Sequence, residues 1–345
     1  MERVMAIDVG RGTQDIFIYE PGVPVENCVK MVLPSPTVVV AQQIRKITAA
    51  GQPLGLTGVT MGGGASSQAV KKHLAAGLPV YATKLAALTI GDNLAEVERS
   101  GVQVVDELPS EAVPVKLGDV NLPALEAALA PFGLTLPGQF AVAVQDHGFC
   151  PQGSNRDFRF QLWRQFLDQG GHLDDLVYRQ VPDVYNRMRS VQEIVPGALV
   201  MDTGGAAVWG SLGDPVVREL QEEGYTLLNI GNGHTIIFLV QGQRILGLCE
   251  HHTGALTKDK TAQLVAKLQS GQLTHAEVYA DGGHGAQITP EYDKVDPEPF
   301  QRVVVTGPNR EMVEGLGYYF AVPFGDMMLS GSFGLLVAGG YLSLP

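Results

Sequence analysis

The chain has 345 residues, 45% of them hydrophobic and 17% charged, which supplies a sizeable core, excludes a disordered chain and suits two lobes of roughly 150 residues. Lys and Arg total 24 against 36 Asp and Glu, and the formal charge of −12 argues against broad binding to nucleic acid or to an anionic membrane. Cys28, Cys150 and Cys249 lie too far apart for a zinc ribbon or an iron–sulfur motif and are expected to be reduced thiols.

The first residues run straight into a strand, without the apolar stretch and cleavage site of a signal peptide. No later run reaches the roughly 20 apolar residues of a membrane span, so the expected location is the cytoplasm. The opening reads as a three-strand meander over 4–8, 15–19 and 28–33. A helix follows over 37–50, then a strand over 54–61, a glycine turn at Gly62, Gly63 and Gly64, a helix over 65–76 and a strand over 80–82. This alternation predicts a mostly parallel sheet flanked by helices. Prolines break 94–136 into short elements. A strand over 140–145 ends at Asp146, His147 and Gly148, and helices are expected over 158–169 and 184–194. The second half repeats the opening's plan, with strands over 225–230, 234–240 and 244–250. A helix over 258–268, a strand over 301–306 and a buried, glycine-interrupted helix within 327–344 complete the chain.

Glycine is abundant, 42 residues or about 12% against a usual level of about 7%. Two glycine loops stand out. Asp8-Val9-Gly10-Arg11-Gly12-Thr13 opens the first meander, and Asn229-Ile230-Gly231-Asn232-Gly233-His234-Thr235 opens the second. Glycines let backbone approach a phosphate, and successive N–H groups can form an anion-binding concavity. An Asp at a strand end can hold hydrated Mg²⁺. Each loop alone is equally compatible with an ordinary hairpin turn; two in matching positions are more specific. Met61–Ser67 is a third candidate anion loop or a plain helix N-cap. Asp202, Thr203 and Gly204 form a tight strand-to-helix turn that could face substrate.

Five of the eight histidines adjoin glycines or strand ends: His147, His234, His251, His252 and His284. A hairpin turning at 241–244 would set His234 opposite His251, with Cβ atoms about 5 Å apart. Alternation sends His251 and His252 to opposite faces, so only one of them enters the cleft. The open readings are a metal site of His234 with His251 or His252, phosphate or acid–base work, and a hydrogen-bonded brace; Asp146, His147 and His284 are additions to any of them. His73, His172 and His275 are expected at the surface.

The paired loops resemble the phosphate motifs of the actin, sugar kinase and heat-shock protein superfamily. Val303-Val304-Val305-Thr306-Gly307-Pro308 resembles its adenosine strand and turn, and Gly331–Ala338 its small-residue closing helix. The resemblance implies an α/β chain of two actin-like, ribonuclease H-like lobes, here 1–195 and 196–345, clamping ATP and Mg²⁺. It implies that Gly10, Gly12, Thr13, Gly231, Gly233 and Thr235 bind phosphate, that Asp8 orients Mg²⁺ and that Thr306 and Gly307 border the adenosine. The superfamily's second loop normally begins with Asp, whereas this chain has Asn229, which offers no carboxylate to a metal-bound water. A closer resemblance is to an uncharacterised family of bacterial and archaeal proteins of this length, sometimes labelled pyruvate formate-lyase activating enzyme-like. It rests on Met61-Gly62-Gly63-Gly64, Gln145-Asp146-His147-Gly148, Asp202-Thr203-Gly204, Gly231-Asn232-Gly233-His234-Thr235 and Glu250-His251-His252-Thr253. That activase chemistry needs three closely spaced cysteines, which this chain lacks.

The expected function is therefore an ATP-dependent phosphotransferase or hydrolase acting on a small molecule, with Asp146 and His147 as candidate activators of the acceptor. Neither nucleic acid nor membrane is an expected partner, and a homo-oligomer is compatible with the sequence. Two other classes stay open: a non-catalytic nucleotide-dependent regulator, and a histidine-centred enzyme holding a transition metal without nucleotide.

Overall fold

A computed structural model describes residues 2–345. Its strands, in chain order, are β1 (Val4–Val9), β2 (Thr13–Tyr19), β3 (Val29–Pro34), β4 (Leu54–Gly58), β5 (Val80–Thr83), β6 (Val102–Val105), β7 (Val113–Leu117), β8 (Gln139–Val144), β9 (Val177–Tyr178) and β10 (Leu199–Met201). The second half adds β11 (Tyr225–Ile230), β12 (His234–Gln241), β13 (Arg244–His252), β14 (Gly285–Ile288), β15 (Val303–Thr306) and β16 (Tyr319–Phe320).

Two six-stranded sheets carry the architecture. Their orders are β3-β2-β1-β8-β10-β9 and β14-β13-β12-β11-β15-β16. In each, a central apolar strand, β1 or β11, opens an antiparallel meander on one side and pairs in parallel with a later strand, β8 or β15, on the other. The five-strand order 3-2-1-4-5 thus occurs twice, which is the two-lobed, duplicated ribonuclease H-like architecture of the actin-like ATPase fold. Edge strands β9 and β14 extend the two copies.

The mostly parallel sheet expected around 54–82 is present, but it is separate from the opening meander. β4 pairs in parallel with β5 and β7, and β5 with β6, giving a four-stranded sheet inserted between β3 and β8. The proline-broken segment contributes two of its strands. His73 also departs from expectation. It is buried here, with Nδ1 2.8 Å from Thr48 Oγ1 and Nε2 3.2 Å from the Pro79 carbonyl, because it occupies the inner face of helix Gly64–Ala75.

The facing sides of the large sheets share one core. Ala6 and Phe17 of the first sheet and Leu227, Phe238 and Val304 of the second belong to it, together with Phe160 and Trp163 of helix Asn155–Asp168. Helix Thr203–Ser211 and the final helix Ser330–Ala338 cross within this core at van der Waals limits. A Cβ on Gly210 would lie 1.8 Å from the Ser330 carbonyl oxygen, and one on Gly334 1.8 Å from that of Ala206. The final helix also packs on β1, β2 and β8, so the chain's end returns to the first sheet. Among the described residues no helix is long and apolar enough to cross a membrane.

Candidate functional site

The two glycine loops are built alike. The N–H of Gly10 donates to the Thr13 carbonyl at 2.9 Å, and that of Gly231 to the His234 carbonyl at 3.0 Å. Each loop is then tied by a hydroxyl residue just past the third strand of its meander. Ser35 Oγ donates to the Gly10 carbonyl (2.7 Å) and Ser35 N–H to that of Gly12 (3.0 Å). Thr253 Oγ1 donates to the Gly231 carbonyl (2.8 Å) and Thr253 N–H to that of Gly233 (3.0 Å). The sequence assigns no role to Ser35, and Thr253 figures there only as the end of Glu250-His251-His252-Thr253; the signal they share is a hydroxyl at the same step of two meanders. The loop tips meet across the cleft. A Cβ on Gly12 would sit 2.9 Å from Asn232 Nδ2, and one on Gly233 2.9 Å from Arg11 Cδ.

Between the loops lies a cavity of about 580 Å³. The loops line it from both sides, as do Asp8, Asp146, His147, Gly307 and Pro308. Four residues expected at the site lie off this cavity; the first, Gly12, faces Asn232 at the loop tip instead. The loop hydrogen bonds make His234 the counterpart of Thr13, so Thr235 turns inward, is buried and shares a hydrogen bond with Thr253 Oγ1 (3.1 Å). Thr306 is buried beneath the loop and donates to Asn229 Oδ1 at 3.1 Å, while Gly307 reaches the cavity. His251 does not oppose His234. An extra residue in β13 shifts the register between Leu239 and Val240, which pairs His234 with His252 and Thr235 with His251. His251 therefore faces away and binds Asp281 through Nε2 at 3.0 Å.

The carboxylates divide into two kinds. Asp8 and Asp15 are cross-strand partners that both line the cavity, and each leaves a buried Oδ1 without a partner. Burial first, and the Asp15 charge second, push Asp8 well above the usual carboxylate range; burial raises Asp15 to about 7. Asp146 is instead fully engaged, accepting the N–H of Gly148 (2.8 Å) on one oxygen and that of Met188 (2.9 Å) on the other. Burial raises it to about 6. These two hydrogen bonds brace the turn that presents His147.

Sequence reasoning also missed the buried ion cluster behind the site. Arg159 donates from Nε to Glu250 (2.7 Å), from Nη1 to Asp202 (2.9 Å) and from Nη1 to the Asp146 carbonyl (2.6 Å). Burial opposes ionisation of Glu250, yet the Arg159 guanidinium beside it holds its carboxyl well below the usual range. Arg187 similarly grips Asp119 and the Gln145 carbonyl. No spacing rule links residues so distant in the chain.

Four imidazoles gather over Glu250. Nε2 of His147 and Nε2 of His284 are 3.0 Å apart. The His234 ring centre lies 4.9 Å from that of His252 and 4.8 Å from that of His284. Burial lowers all four below the ordinary histidine value, His234 to about 3 and His284 to about 4, so all are neutral at pH 7. Cys28, Cys150 and Cys249 are unpaired, and among the described residues none joins a potential metal-binding group.

No curated protein matches the chain in sequence. Among solved structures it is similar to an exopolyphosphatase-like protein, at 10% identity and TM-score 0.29, over 89% of this chain and 66% of that one. It is similar to ethanolamine utilization protein EutJ from Carboxydothermus hydrogenoformans at 12% identity and TM-score 0.30, over 97% and 89% of the two chains. A Bacteroides thetaiotaomicron protein with an actin-like ATPase fold and unknown function overlaps at 7% identity and TM-score 0.37, over 96% and 95%. The chain spans just under two thirds of the exopolyphosphatase-like protein's length. Residues 61–312 match the model of the family described as "Putative pyruvate format-lyase activating enzyme (DUF1786)", and the chain belongs to that family.

Proposed function

We propose that the cleft binds a nucleoside triphosphate with Mg²⁺ and uses it for phosphoryl transfer or hydrolysis. The observation that carries this reading is the pair of identically tied glycine loops facing one cavity. Gly10 and Thr13 would contact phosphate from one side and Gly231 and Gly233 from the other, with Gly12 shaping the first loop against Asn232. Asp8 fits the cation, because a buried carboxylate with an unpartnered oxygen is relieved by a positive charge. Arg11 and Arg156 add positive charge to the cavity of a net acidic chain. Gly307 and Pro308 would border the base, and His147 would receive or hold a proton of the acceptor. When bound, Mg²⁺ would screen the phosphate charge. The lobes of this clamp would divide later than 195, because β10 pairs with β8 in the first sheet; the second lobe would follow β10, with the final helix bridging the two. Free cysteines suit a reducing compartment such as the cytoplasm.

Asn229 favours a second reading within the same site, nucleotide-controlled regulation without turnover. It occupies the place of Asp8 in the second loop but is neutral, and its Oδ1 is engaged by Thr306.

Calorimetric titration with ATP, with and without Mg²⁺, tests both readings. Saturable Mg²⁺-dependent binding is expected. Gly12→Asp, which puts a carboxylate between the loops, should weaken it at least about tenfold, or about 1.4 kcal/mol, in protein that still melts cooperatively. Absence of binding at millimolar ATP overturns the nucleotide reading. Binding without phosphate release on any acceptor selects the regulator.

A further inference from the structure

His147, His234 and His284 each offer a nitrogen, and these three atoms all lie within 4.8 Å of one another. Metal–nitrogen bonds of about 2.0–2.1 Å put the ligands of one tetrahedral ion about 3.4 Å apart, so ring rotations have to draw this triangle together. Three neighbouring strands deliver two of the residues. His234 begins β12, and His284 immediately precedes β14, where its N–H donates to the Glu250 carbonyl of β13 at 2.9 Å. His252, opposite His234 at the end of β13, stands beside them. His147 arrives from the turn after β8 of the other large sheet.

Hydrogen bonding alone leaves this cluster unsatisfied. The single contact between His147 and His284 engages one nitrogen of each ring, and Nδ1 of His284 is buried without a partner. Beneath the imidazoles Glu250 carries a carboxylate that Arg159 shares with Asp202. Neutral imidazoles supply the lone pairs that transition metals select over Mg²⁺.

We propose that His147, His234 and His284 bind one divalent transition-metal ion, with zinc as the first candidate, and turn its open coordination position toward the cavity. All three line that cavity together with both glycine loops. Three protein ligands and an open position are the arrangement of a catalytic rather than a purely structural metal. The open position would take water or an oxygen of an anionic ligand held by the loops. Because the ligands come from both large sheets, the ion also ties the sheets together. The inference stands independently of nucleotide binding; with the ion bound, His147 is a ligand and no longer a proton acceptor.

The test uses full-length protein stripped with a chelator and reloaded with Zn²⁺ or Co²⁺ in the absence of nucleotide. Elemental analysis should find about one ion per chain, and Co²⁺ should give the intense visible absorption of a four-coordinate site. His284→Ala and His147→Ala should each lose the ion at least about tenfold in affinity. The exposed control His172→Ala should keep it, as should Gly12→Asp, which separates this outcome from failure of nucleotide binding. If the alanine variants do not fold, His284→Gln and the wild-type Co²⁺ spectrum decide. Wild-type protein that takes up no stoichiometric metal, or equal uptake with and without these histidines, overturns the proposal.

Discussion

His73 illustrates how a single residue departs from its pattern. Lys71 and Lys72 precede it on an amphipathic helix and are exposed, and the run reads as one solvated face. The helical period carries the third residue inward, where Thr48 and Pro79 satisfy both ring nitrogens. Burial lowers its pKa below the ordinary 6.5. The unfolded chain therefore takes up a proton first as pH falls. The stability His73 contributes is complete above about pH 6.5 and is lost as pH falls through the folded value. Denaturant unfolding of metal-free protein between pH 7.5 and pH 5 (roughly one unit either side of the ordinary value) should show a shallower decline for His73→Gln than for wild type. Equal slopes would contradict the assignment.

At the scale of elements, the meanders were legible because strand, glycine turn and strand follow one another locally. The bounds of 225–230 coincide with β11. The register of β12 on β13 was not legible, since one bulged residue is invisible to counting from the turn, and it exchanges His251 for His252 at the cleft. The final helix was legible as buried, but the reason for its glycines was not. Gly334 meets the Ala206 carbonyl and Gly331 passes over Asp8, where a Cβ would lie 1.9 Å from Oδ2. Gly334→Ala should destabilise by about 3 kcal/mol through overpacking, measured as a shift of the urea midpoint without a change of slope. Gly254→Ala, where an added Cβ meets nothing within 4 Å, is the neutral control.

At the scale of the molecule, Arg159 joins the halves. Its helix carries it between Asp202, which caps the helix after β10, and Glu250 of β13. Removing one member of a buried ion cluster strands the others without a counter-charge. Arg159→Met should therefore cost about 3–5 kcal/mol. Adding Glu250→Gln to it should cost less than the sum of the two single changes, which a double-mutant cycle measures. Additive losses would show that the cluster does not act as a unit.

The sequence by itself determined the duplicated plan, the two glycine loops and the segregation of apolar strands, because each is written in neighbouring residues whose turn chemistry and period are local. The tertiary structure alone decided which histidines share a face, that Thr235 turns inward while Ser35 and Thr253 tie the loops, and that Arg159, Asp202 and Glu250 lie under the site. Those outcomes depend on strand register and on the packing of one sheet against the other. Both are set by contacts between residues 18 to 91 positions apart in the chain, where no local periodicity carries the information.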